Sequence, residues 1–232
     1  MALFAIGDLH LSLGTSKPMD IFDGWDGYVD KIKAGFRRVK PEDTVMLCGD
    51  LTWGMTLEDA EEDFRFISEL PGKKILLKGN HDYWFSTAAK AYAFFEKHGF
   101  GDMKFLNNNC CFYEGTALCG TRGWLYDESL DGEHNRKILS REAIRFELSL
   151  AEAEKAGAKS KLCFFHYPPR YKGYVCEEIV ALMEKYGVTR CWYGHIHGEY
   201  GHRNAVTGIV NGIEYNMISA DFVNFTPQEI LL

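Results

Sequence analysis

The chain has 232 residues, 46% of them apolar and 25% charged, which fits one large domain with a sizeable core and excludes fibrous, low-complexity and disordered classes. Thirty-three acidic side chains against 26 basic ones leave a net charge of −7, which argues against a chain that holds nucleic acid mainly by neutralising phosphates. The start, Met1-Ala2-Leu3-Phe4-Ala5-Ile6-Gly7-Asp8, has neither a basic opening nor a cleavage-site pattern, and no long uncharged apolar stretch follows, so a cytoplasmic location without membrane association is expected.

In chain order, the apolar run Leu3 to Ile6 predicts a buried strand that ends in Gly7-Asp8-Leu9-His10. Trp25, Val29, Ile32, Phe36 and Val39 then fall on one helix face. Val45 to Cys48 predicts a strand ending in Gly49-Asp50, and Leu57, Ala60, Phe64 and Ile67 a helix behind a Thr56 cap. A third strand, Ile75 to Leu77, runs into Gly79-Asn80-His81-Asp82. Cys110 to Tyr113 and Thr116 to Cys119 flank Glu114-Gly115 as a hairpin, in which the adjacent cysteines point to opposite faces and read as separate packing residues. Residues 122–140 are rich in Gly, Asp, Glu and aromatic side chains without a period and read as a long functional or lid-like loop. Leu162 to Phe165 predicts a strand ending in His166, Ile179, Val180, Met183 and Tyr186 a helix, and Cys191 to Tyr193 a strand ending in Gly194-His195-Ile196-His197-Gly198. Ile209-Val210 and Ile213 to Ile218 form a second hairpin around Asn211-Gly212. The seven cysteines lack a CxxC spacing and read as reduced, mostly buried thiols. Strands alternating with helices predict a layered α/β fold, with residues 1–232 as a single domain.

Each of the five buried strands thus delivers an oxygen or imidazole donor at its carboxyl end, where open α/β sheets assemble their sites. The donors are Asp8, His10, Asp50, Asn80, His166, His195 and His197. A mixed nitrogen and oxygen set without thiolate suits borderline first-row metals such as Mn, Fe or Zn. Seven donors exceed the needs of one four-coordinate ion, whereas two ions sharing a bridging carboxylate would use them all. Asp8 and His10, like His195 and His197, are spaced i, i+2, which on extended backbone puts both on one face. The glycines before Asp8, Asp50, Asn80 and His195 are expected to let the backbone turn out of each sheet.

Asp8-Leu9-His10, Gly49-Asp50, Gly79-Asn80-His81-Asp82, His166 and Gly194-His195-Ile196-His197 occur in the order of the motifs of the calcineurin-like metallophosphoesterase superfamily, which the sequence resembles over residues 5–198. The resemblance implies a four-layer αββα sandwich around two mixed β-sheets. It also implies two divalent or mixed-valence metal ions, one held by Asp8, His10, Asp50 and His197 and the other by Asp50, Asn80, His166 and His195. The activity it implies is hydrolysis of a phosphomonoester or phosphodiester, with a metal-bridging hydroxide as nucleophile. On this reading Asn80 also orients the substrate, and His81, not a ligand, protonates the leaving alkoxide.

The sequence departs from that pattern in two places. Asp50 is followed by Leu51-Thr52-Trp53-Gly54 and not by the Asp-Arg-Gly of the protein serine/threonine phosphatases, which disfavours a dedicated phosphoprotein phosphatase and leaves His81 without an identified carboxylate partner, Asp82 being adjacent. Leu11 stands where many relatives have Gly. Arg122 is a candidate clamp on a phosphoryl oxygen, with a structural ion pair as the competing reading. Arg170, Lys172, His202 and Arg203 are read as surface charge before a substrate rim, His98 and His134 as surface residues, and Asp221 as a group that orients a ligand histidine or caps a loop. The expected partner is a small phosphate ester; nucleic acid and membrane are not expected, and no protein partner is indicated. The alternatives are a noncatalytic scaffold of the same fold, a serine/threonine protein phosphatase and a nuclease.

Overall fold

The computed structural model describes residues 1–101, 103–126 and 128–232. Its elements, in order, are β1 (Leu3–Ile6), α1 (Tyr28–Gly35), β2 (Thr44–Cys48), α2 (Glu61–Glu69), β3 (Lys73–Leu77), α3 (Ala88–His98), β4 (Lys104–Phe105), β5 (Cys111–Tyr113), β6 (Thr116–Thr121) and α4 (Gly132–Lys155). There follow β7 (Ser160–Phe165), β8 (Arg170–Tyr171), β9 (Tyr174–Val175), α5 (Glu177–Lys185), β10 (Arg190–Tyr193), α6 (Gly198–Asn204), β11 (Gly208–Val210), β12 (Ile213–Met217) and β13 (Gln228–Ile230).

The strands form two large mixed sheets, ordered β13-β1-β2-β3-β4 and β11-β12-β10-β7-β6-β5, and a separate β8-β9 ribbon. Within each large sheet the central strands are parallel and outer pairs such as β1 with β13, β5 with β6 and β11 with β12 are antiparallel. Period-2 alternation sorts the side chains into layers. Leu3, Ala5, Met46, Cys48, Ile75 and Leu77 of the first sheet meet Leu118, Leu162, Phe164 and Trp192 of the second in one core. The opposite faces pack under helices: Phe4, Ile6, Val45 and Leu47 against Ile32, Phe64, Ile67 and Phe95, and Cys163, Phe165, Cys191 and Tyr193 against Phe146, Leu150, Ile179 and Met183. The result is the four-layer αββα arrangement. Truncating a fully buried side chain of the middle layer such as Phe164 should cost about 3–5 kcal/mol.

Both expected hairpins form, with Glu114 (φ 46°) and Gly115 (φ 81°), and Asn211 (φ 50°) and Gly212 (φ 80°), in the left-handed region that a two-residue turn requires. They edge the second sheet on its two sides. The donor-bearing strands do not share one open sheet: β1, β2 and β3 lie in the first and β7 and β10 in the second. The end of β1 is tied to that of β10 through Ile218, just past β12: Gly7 N donates to Ile218 O at 2.8 Å and Ile218 N to Tyr193 O at 2.8 Å.

Local boundaries differ from expectation at three places. Of the stretch 122–140, in which residue 127 lies outside the described residues, only the part before Gly132 is non-helical, because Asp131 accepts the His134 amide and starts α4. The helix expected from Trp25 begins at Tyr28, after Gly27 in the left-handed region. Thr56 caps a turn through the Asp59 amide, and α2 proper starts at Glu61. All seven cysteines are free. Among the described residues no helix is long and apolar enough to cross a membrane.

Candidate metal centre

Four of the candidate donors have left-handed backbone: Asp8 (φ 60°), His10 (φ 45°), Asp50 (φ 49°) and His195 (φ 71°). Such conformations are disfavoured for residues with a Cβ and persist only where the surroundings over-determine them. Here crossing hydrogen bonds do so, with Asp8 N donating to Gly49 O at 2.9 Å and His10 N to Asp50 O at 2.9 Å. The turning role expected of the preceding glycines is therefore taken largely by the donors themselves. Gly49 does turn (φ 87°), but Gly79 and Gly194 serve close approach: a Cβ on either would collide with the carboxylate of Asp50 or of Asp8. For the same reason the i, i+2 spacing does not act through extended backbone, since β1 ends at Ile6 and β10 at Tyr193.

Two clusters result. Donor atoms of Asp8, His10 and His197 lie within 4.8 Å of one another, as do those of Asp50, His166 and His195. In the first, His10 Nε2 is 3.2 Å from His197 Nε2, which is 3.8 Å from Asp8 Oδ1. In the second, His166 Nε2 is 3.3 Å from Asp50 Oδ2 and 2.6 Å from Asn80 Oδ1. Asp50 Oδ2 also lies 3.8 Å from His10 Nε2, so this one oxygen faces both clusters. His195 and His197, though neighbours in the motif, fall in different clusters.

The clusters suit cations. The 3.2–3.8 Å spacings are near those of donors about 2.0–2.2 Å from a common ion, while the 2.6 Å contact of His166 with Asn80 is a hydrogen bond. Burial pulls His10 down to about 3 and His195 well below the ordinary histidine value, which keeps their lone pairs available. Burial also pushes the Asp8 carboxyl up to about 6, the mark of a carboxylate enclosed without enough positive charge. Burial acts against charge on His166 as well, but the surrounding carboxylates, Asp50 foremost with Asp8 and Asp82, together outweigh this and lift it to about 9. One ring nitrogen of His10, Nδ1, is buried without a hydrogen-bond partner among the described residues.

Other groups fix the donors in place. His166 Nδ1 meets Cys48 O at 3.2 Å, which turns Nε2 inward. Asp221 Oδ1 is 2.9 Å from His197 Nδ1, and its other oxygen accepts the Gly198 amide and faces His202 Nε2 at 3.2 Å. The Asp8 carboxylate accepts the His195 amide, and Asp50 Oδ1 the His81 amide at 2.8 Å. Asp82 turns away from the His81 ring and accepts from Leu51 N, Gly79 N and Trp84 Nε1, binding the second and third motif loops together.

The His81 ring belongs to neither cluster. It stands half-buried beside them, 4.3 Å from the Trp53 ring and 5.8 Å from that of His10. Arg122 points elsewhere: its guanidinium faces buried Glu142 at 3.5 Å and lies over Trp124 and Tyr167, while its carbonyl accepts the His166 and Tyr167 amides. Arg170 bonds the Tyr215 hydroxyl, Lys172 the Tyr200 hydroxyl and Arg203 Glu199. His134 is an exposed first-turn residue of α4, whereas His98 is partly buried between Glu61 and Phe94. Sequence reasoning missed the aromatic surroundings: Trp53 stacks on His10 at 5.1 Å, and Trp25 meets His10 and His197 edge-on at 5.8 Å. Trp53 follows the Gly-Asp motif by three residues, but one aromatic side chain in a loop carries no sign of its role.

A model of the calcineurin-like phosphoesterase family matches residues 1–199. No curated protein sequence matches the chain. Among solved structures, it is similar to a protein of unknown function from Aquifex aeolicus at 17% identity and a TM-score of 0.53, over 98% of this chain and 95% of that one. It is also similar to a phosphopantetheinyl hydrolase from Mycobacterium tuberculosis, at 12% identity and a TM-score of 0.55 over 99% and 95%. A protein from Thermus thermophilus aligns at 16% identity and a TM-score of 0.54 over 98% and 97%. At these identities the likeness is one of fold.

Proposed function

The chain belongs to the calcineurin-like phosphoesterase family, and from that membership and its paired donor clusters we propose that it is a metal-dependent hydrolase of small phosphomonoesters or phosphodiesters. The observation that carries the proposal is Asp50 Oδ2, set between a cluster of Asp8, His10 and His197 and a cluster of His166 and His195. Asp8, His10 and His197 would hold one ion, Asn80, His166 and His195 the other, and Asp50 both. Mn, Fe and Zn suit this donor set. Such ions, when bound, neutralise phosphoryl oxygens and bring the ionisation of water toward neutral pH.

The remaining work falls to the chain's own groups. Asn80 orients the phosphoryl group. His81, protonated on both ring nitrogens, gives the Nε2 proton to the departing alkoxide and is left as the neutral ring, its Nδ1 being buried; burial pulls its pKa below the ordinary histidine value, which makes the imidazolium the stronger acid. Arg122, committed to Glu142, is assigned to holding the His166 backbone and not to the phosphoryl group. The seven free thiols agree with a reducing, cytoplasmic setting.

A hydrolysis panel on Mn2+-loaded protein tests the reading: bis-aryl phosphate, aryl phosphate, cyclic nucleotides and a phosphopeptide. Turnover of a small ester above that of the phosphopeptide is expected. Absence of turnover on all four would contradict it.

A further inference from the structure

Above the donors lies a cavity of about 460 Å³, large enough for the organic part of a small ester. Its floor is His10, Asp50, His81, His195 and His197, and its wall is Met19, Phe22, Trp25 and Trp53. Most of the wall comes from the loop between β1 and α1. Trp53 is braced in it: its amide donates to Leu11 O at 2.8 Å, its indole N–H reaches Met19 Sδ at 3.2 Å, and its ring lies on His10 and His81. Phe22 is 51% exposed and its neighbour Ile21 73%, so the loop presents apolar surface to water beside the donors.

The charges of the cavity are one-sided. Among the described residues neither Lys nor Arg lines it. Lys17 lies close by, but stacked on the Trp53 ring at 5.1 Å and outside the lining. The carboxylates apart from Asp50 are Asp221, engaged with His197 and His202, and Asp23, exposed and without an ion-pair partner among the described residues. A substrate carrying a second phosphate or a carboxylate would find neither Lys nor Arg among the lining residues, the Lys17 ammonium being engaged over the Trp53 ring, and would meet the Asp23 carboxylate.

We propose that the group esterified to phosphorus in the substrate is uncharged and apolar, aryl or alkyl, and lies against Met19, Phe22 and Trp53, with Asp23 disfavouring a second anionic group. The inference rests on the phosphoesterase reading and adds the class of substrate. Burying one ring or a short alkyl chain there is worth about tenfold or more in affinity.

Non-hydrolysable phosphonates test it on the Mn2+-loaded protein: methyl-, propyl-, benzyl- and 2-carboxyethylphosphonate. Each is measured as an inhibitor of aryl phosphate hydrolysis and, independently, by quenching of indole fluorescence. Propyl or benzyl should bind about tenfold or more tightly than methyl, the better of the two telling alkyl from aryl, and carboxyethyl no more tightly than methyl. Phe22→Ala should shrink the propyl-to-methyl or benzyl-to-methyl ratio, and Asp23→Asn should improve carboxyethyl selectively. Equal binding of methyl, propyl and benzyl, or carboxyethyl matching propyl, would overturn this inference and leave the phosphoesterase reading standing. Failure of every phosphonate to bind, with no phosphate ester hydrolysed, would overturn both.

Discussion

Asp50 Oδ2 stands 3.3 Å from His166 Nε2, while the other oxygen of the same carboxylate accepts the His81 amide at 2.8 Å. One side chain therefore joins the second sheet's histidine to the loop that carries Asn80 and His81. Burial would push this carboxyl up, but the neighbouring His166 and His10 outweigh it and hold it well below the usual carboxylate range.

His81 is expected to act on the leaving group and not on metal. His81→Asn should keep both ions and lose about 10²- to 10⁴-fold in turnover on an alkyl ester, with a smaller loss on a nitrophenyl ester whose leaving group needs little protonation. Rates on both esters together with metal content check this. Equal losses, or a missing ion, would contradict the assignment. His166→Ala should fail on both esters.

Asp221→Asn should weaken metal binding at the Asp8, His10 and His197 cluster by about 10- to 100-fold, because it loosens the ring orientation of His197. The other cluster should be unaffected. A Mn2+ titration that resolves two affinities reads the difference, and a parallel weakening of both would contradict it.

Gly194→Ala and Gly79→Ala place a methyl against the Asp8 and Asp50 carboxylates, and at Gly79 also against the Asp50 backbone. Each should cost about 1–3 kcal/mol of stability by overpacking and also lower metal affinity. Thermal unfolding with and without Mn2+ checks both effects. A variant that unfolds like the parent and keeps its affinity would show that the close approach is dispensable.

Much of this site was legible because its donors come in short runs at strand ends, where an apolar stretch stops at Gly7-Asp8, Gly49-Asp50 or His166. Division of those strands between two sheets was not, since periodicity reports burial and not which neighbour a strand pairs with. Helix α4 leaves no helical signature in the sequence. Its buried face carries Asn135, Glu142 and Ser149, one every seven residues, beside Phe146 and Leu150. Each polar group is satisfied, Asn135 by the Trp124 indole, Glu142 by Thr121 and Arg145, and Ser149 by Asn109 O and Gly120 N. Polar residues on the inner face erase the apolar period by which a helix is recognised. Trp53 and Met19 likewise meet only in three dimensions.

Asp63 provides a pH test away from the donors. It is buried, accepts from Thr52 Oγ1 and from Leu13 N at 2.7 Å, and burial lifts it to about 6. A carboxyl whose folded value is raised binds its proton more readily in the folded chain. Its contribution to stability is thus full below about pH 4 and is lost as the pH rises through about 6. The stability of Asp63→Asn relative to the parent should accordingly be least favourable near pH 4 and improve toward pH 8. Denaturant unfolding of the pair at several pH values checks the slope, and a flat difference would contradict it.

The most direct measurement is the number of ions bound per chain, by elemental analysis after metal loading, in the parent and in Asp50→Asn. Two equivalents are expected in the parent and weakened binding of both in the variant, because an amide bridges poorly. A parent that repeatedly holds one ion, or an Asp50→Asn variant that keeps two at undiminished affinity, would contradict this.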